Sequence, residues 1–102
     1  MEILSGRFVM DVLPELAVDL MELLTEAGEQ RLAATIPDLS FHSWCECGEP
    51  SCLSFYTAQP PDGPYGPGHY TLSLSRRHQM LVLDVVEDRI VFVEVLDRPP
   101  RE

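Results

Sequence analysis

A chain of 102 residues, 45% hydrophobic and 24% charged, has the size and makeup of one folded α+β domain; this excludes intrinsic disorder and a second independent core over residues 1–102. Seventeen Asp and Glu face seven Arg and no Lys, a net charge of -10 that argues against nucleic acid and against anionic membranes as direct partners. Three cysteines do not make a disulfide framework, and the start of the chain has neither a basic stretch nor an unbroken apolar span, so a cytoplasmic protein with reduced thiols is expected.

Residues 2–10 hold a weak strand signal broken by Ser5 and Gly6. From Pro14 to Ala27, Leu16, Leu20, Leu23, Leu24 and Ala27 recur at helical spacing, Pro14 suits a first turn, and Gly28 reads as the stop. Glu15, Asp19, Glu22 and Glu26 form an acidic stripe on the same helix. A solvated outer face is its ordinary explanation, and docking of a basic protein the functional one.

Residues 29–35 suggest a further helical turn or two, closed by Pro37. Leu39–Cys47 and Ser51–Thr57 flank Gly48-Glu49-Pro50 and read as a hairpin with the cysteines at its tip. The run PPDGPYGPG, residues 60–68, forbids regular structure and reads as a stiff surface loop. Tyr70–Ser75 reads as a strand, and Leu81–Val86 with Ile90–Leu96 as a hairpin turning at Glu87-Asp88. A two-residue turn there puts Leu81, Leu83, Val85, Ile90 and Phe92 on one face and Val82, Val86, Val91, Val93 and Val95 on the other. Both faces are apolar, so one packs on the helix and the other meets a second layer, a partner or a ligand, unless the hairpin is buried more deeply within the same chain.

His42, Cys45, Cys47 and Cys52 are four soft-metal ligand types within eleven residues, with His69 or His78 as alternative fourth ligands, and zinc is the natural candidate. Against it, only Glu46 separates Cys45 from Cys47, and there is no second cysteine pair. The plainer reading is thiols packed as small apolar groups. Redox exchange is disfavoured because Glu46 and Glu49 oppose thiolate formation. Tyr56, Tyr65 and Tyr70 flank the Pro/Gly loop with His69 and could hold a small ligand or a peptide, although they also suit strand ends. No hydrolase constellation or phosphate-binding glycine loop is visible, so the balance leans away from an enzyme.

The run CECGEPSC, continuing through SFYTAQPPDGPYGPGH to DVVEDRIVFVEVLDRPP, resembles a group of short bacterial proteins of uncharacterised function. The resemblance covers roughly the C-terminal half and implies a complete bacterial domain, with no catalytic role or cofactor to carry onto individual residues. The expectation is therefore an α+β fold, with one long N-terminal helix packed on an antiparallel sheet of four or five strands. Its function would be that of a non-enzymatic binding or regulatory module, working through protein–protein contact or as a homodimer. A zinc protein, structural or catalytic, is the alternative.

Overall fold

The computed structural model describes residues 7–45, 53–76 and 79–97. The fold is mixed α+β, with helices on one face of a five-stranded antiparallel sheet. Strand β1 (Arg7–Phe8) leads into a single helical turn, α1 (Val9–Val12). Helix α2 (Pro14–Glu26) and helix α3 (Gln30–Thr35) follow, and a 3₁₀ turn over Ile36–Asp38 closes the helical half.

The expected helix Pro14–Ala27 is α2, with its stop at Gly28, and the further helical turns over 29–35 are in place as α3. It does not stand alone as one long N-terminal helix, because α1 precedes it where residues 2–10 read only as a weak strand. The breaks have local causes. Leu13 precedes a proline and takes φ -134, ψ 70, outside the helical region, which separates α1 from α2. Gly28 takes φ 82, and the Glu29 amide donates to the Leu24 carbonyl at 2.8 Å, a Schellman-type stop that separates α2 from α3. The 13 residues of α2 bury Ala17, Leu20, Leu23 and Leu24. Glu15, Glu22 and Glu26 stay exposed and Asp19 half-buried on the other side of the helix.

Strand β2 (Ser40–Phe41) pairs with β1 in a two-stranded ladder. The main sheet runs β3-β4-β7-β6-β5, from β3 (Ser43–Trp44) and β4 (Phe55–Tyr56) through β7 (Arg89–Asp97) and β6 (Gln79–Val86) to β5 (His69–Arg76). The β3–β4 hairpin is therefore present, with two-residue strands, and its Gly48-Glu49-Pro50 turn lies outside the described residues. Rings of Phe41, Trp44 and Phe55 lock it to β2, with Phe41 and Phe55 stacked at 5.4 Å and Phe41 edge-on to Trp44 at 4.9 Å.

The β6–β7 turn is made by Glu87 and Asp88, with φ 52 and 66, the primed geometry that matches strand twist. Beyond the turn the register slips at Asp84/Val85, so that Ile90 faces Val85 while Phe92 faces Asp84. This bulge changes the face assignment expected from simple alternation. Leu81, Leu83, Val85, Ile90, Val93 and Val95 share the helix-facing side, and Phe92 moves to the opposite one. Thr57 holds the irregular stretch: its amide donates to the Val91 carbonyl at 3.0 Å and its buried hydroxyl to the Ile90 carbonyl at 2.6 Å. Ser54 does the same further along β7, its Oγ accepting from the Val95 amide at 2.9 Å. The core lies between α2 and the helix-facing side, where Leu20, Leu24, Phe41, Phe55, Leu81, Leu83, Val85 and Val93 are fully buried.

Candidate functional site

Strand alternation and the bulge together gather a set of chemically distinct side chains on the outer face of the sheet. From β4 to β5, cross-strand pairing lines up Tyr56, Phe92, Asp84 and Thr71 in one row. The rings of Tyr56 and Phe92 meet at 4.5 Å. Asp84 accepts from His69 Nε2 at 2.8 Å and from Thr71 Oγ1 at 3.4 Å. Tyr65, carried back over the sheet by the Pro/Gly loop, stacks on the His69 ring at 4.7 Å. Burial, then the nearby Asp84 carboxylate and Tyr56 phenol, push the Tyr65 hydroxyl above its ordinary range.

The loop is seated by its last residue. Gly68 takes φ 85, and its carbonyl accepts from the Glu87 amide at 3.2 Å. Pro60, Pro61, Tyr65 and Gly66 of the loop border an open depression of about 250 Å³ over Val86 and Val91. None of these outer-face residues is fully buried, whereas Leu81, Leu83, Val85, Ile90 and Val93 on the helix-facing side are buried in the core. The result is an aromatic and carboxylate surface with a fixed hydrogen-bond centre at Asp84, able to hold a partner by stacking and by accepting hydrogen bonds.

Of the three loop-flanking tyrosines expected around one site, Tyr56 and Tyr65 lie on this outer face. Tyr70 does not, because it is one residue along from His69 and so projects to the opposite face. There it is 42% exposed, and its hydroxyl is pushed up by partial burial and then by the carboxylates of Glu29 and Asp88. Sequence reasoning did not single out Asp84 or Phe92. Asp84 looks like an ordinary polar break in an apolar strand, and only the bulge puts Phe92 beside Tyr56.

The cysteine cluster is described only in part. Cys47, Cys52 and His78 lie outside the described residues. Cys45 is half-buried, and its amide donates to the Ser54 carbonyl at 2.8 Å. His42 is half-buried, with Nδ1 3.0 Å from Ser43 Oγ. His69 sits on the far edge of the sheet from β3, with three strands between, so it is not brought to Cys45. Among the described residues there is no group of three or more His, Cys, Asp or Glu arranged to hold a metal ion.

The acidic helix borders a second surface. Val12, Leu13, Leu16, Leu53 and Val95 line an open groove of about 310 Å³, with Glu15 and Asp19 at its rim. No helix among the described residues is long and apolar enough to cross a membrane. No family model, curated protein or solved structure matches the chain.

Proposed function

We propose that this chain is a non-enzymatic binding module that contacts a protein partner through the outer face of its sheet. The observation that carries the reading is the row Tyr56, Phe92, Asp84 and Thr71, extended by the Tyr65–His69 stack. Rigid aromatic rings supply contact area at little entropic cost, and a carboxylate already held by two donors is pre-oriented for a third. A net charge of -10 favours a partner of basic character, and the expected cytoplasmic setting is part of this proposal. The bacterial origin implied by the CECGEPSC resemblance belongs to the same reading.

The test is partner capture by the tagged chain, with the captured protein then titrated against variants. Tyr56→Ser combined with Phe92→Ser is expected to weaken binding at least tenfold, about 1.4 kcal/mol. Glu15→Gln combined with Glu22→Gln is expected to change it less than twofold. Loss of binding only in the helix variant would transfer the function to α2 and its apolar groove.

A second reading is zinc held by Cys45, Cys47, Cys52 and His42. It is supported by the sequence spacing, which places four soft-metal ligand types within eleven residues, two of them, His42 and Cys45, half-buried on either side of β3. Metal content of protein purified without chelator decides it. About one zinc per chain, lost in Cys47→Ser, is the outcome it requires.

A further inference from the structure

We infer that a second copy of this chain pairs with the edge strand β5, joining two five-stranded sheets into one continuous sheet across a two-fold axis at Leu72. The edge adjoins the outer face and shares Thr71 and His69 with it, but the inference rests on the backbone of β5 and does not depend on the partner reading above.

The sheet ends on one side in β3, only two residues long, and on the other in β5, which has eight residues and pairs with β6 along its whole length. Natural edge strands are blunted by shortness, proline, bulges or like charges. β3 uses the first of these. β5 carries one formal charge, Arg76 at its last position, and otherwise uses none: its sequence, HYTLSLSR, has no proline and no acidic residue, and its register with β6 runs without a bulge. In a chain of net charge -10 that acid-free stretch is one where two copies can meet without facing like charges.

The hydrogen bonding fixes which groups are on offer. The Glu87 amide bonds the Gly68 carbonyl, so the alternation of an antiparallel ladder turns Tyr70, Leu72 and Leu74 toward β6. His69, Thr71, Ser73 and Ser75 then direct their backbone N–H and C=O away from the sheet. Among the described residues no other element takes a backbone hydrogen bond from these four.

One antiparallel register pairs all four at once. Centring the two-fold on Leu72 sets His69 opposite Ser75 and Thr71 opposite Ser73, each pair exchanging two hydrogen bonds. On the helix-facing side the same register sets Leu72 against its own copy and Leu74 against Tyr70. That extends the apolar layer and covers Tyr70, a large side chain left 42% exposed in the single chain. On the outer side it joins Thr71 to Ser73, a pairing of hydroxyl side chains suited to cross-strand contact.

Sedimentation equilibrium of the full chain at micromolar concentration is expected to give twice the 11.5 kDa chain mass. Hydrogen exchange at the Thr71 and Ser73 amides is expected to slow as concentration rises. Thr71→Lys combined with Ser73→Lys sets ammonium groups against one another across the two-fold and is expected to return the single-chain mass with unchanged far-ultraviolet circular dichroism. Ser73→Pro, which removes an outward amide that takes no backbone partner among the described residues, is expected to do the same. A single-chain mass for the wild type at every accessible concentration would overturn the inference. So would a dimer that survives in the folded double-lysine variant, since that dimer would use another surface. Tyr56→Ser/Phe92→Ser, the outer-face variant, is expected to stay dimeric, so loss of partner capture and loss of self-pairing are told apart.

Discussion

Gly68 shows at the scale of one residue how the Pro/Gly loop is fastened to the sheet. Its φ of 85 lies in the left-handed region, and a Cβ there would stand 2.9 Å from Glu87 Cγ and 3.6 Å from the Glu87 amide nitrogen. Gly68→Ala should therefore cost about 1–2 kcal/mol of stability through backbone strain and displacement of Glu87. Gly63, with nothing within 4 Å of an added Cβ, is the control, and Gly63→Ala should stay within about 0.5 kcal/mol. Urea denaturation of the two variants checks this, and equal effects would remove the fastening role. The residues of the outer face were legible one at a time, since Tyr56, Tyr65 and His69 stand out as aromatic or titratable groups around a loop. Their neighbours Asp84 and Phe92 were not, because which side of a strand a residue occupies depends on pairing with other strands.

The β6–β7 hairpin is where local sequence and final geometry part company. Its turn position was readable from the two acidic residues between apolar runs, and the turn is there. Both turn residues nevertheless hold positive φ without being Gly or Asn, a conformation each adopts at a cost. Replacing Glu87-Asp88 with Asn-Gly should stabilise the chain by about 1 kcal/mol and raise the melting temperature by roughly 5 °C, checked by thermal denaturation. An unchanged or lower melting temperature would mean that the positive φ of Glu87 and Asp88 carries no cost that Asn-Gly relieves. The bulge in the same hairpin was not readable. Ile90, Val91, Phe92 and Val93 are all apolar, so the sequence carries no polar–apolar alternation in which a one-residue slip could show. The helical half was more legible: periodicity over Pro14–Ala27 located α2 closely and Gly28 marked the break before α3, while the helical turn α1 lies in a stretch that read only as a weak strand.

For the whole molecule, the dominant unbalanced quantity is charge. Seventeen acids against seven Arg repel one another in the compact state. The ion pair between Arg31 and Asp88, at 3.8 Å with both side chains largely exposed, offsets little of that. Raising sodium chloride from about 10 mM to about 0.5 M, which shortens the screening length from tens of ångströms to a few, should therefore raise the melting temperature. A melting temperature that falls or stays level with added salt would show that specific ion pairs outweigh the general repulsion.

The amino-acid sequence by itself determined the class of structure, the central helix, the two hairpins, the irregular Pro/Gly loop and the acidic character. Each of these depends on interactions among near neighbours in the chain: helical periodicity, turn-forming residues and composition. Tertiary structure alone decided the strand order, the bulge that turns Phe92 outward, the meeting of Tyr65 and His69 with Asp84, and the exposure of β5 as an edge. Those features join residues far apart in sequence, and they are set by which strands share hydrogen bonds and how two apolar faces are divided between core and surface.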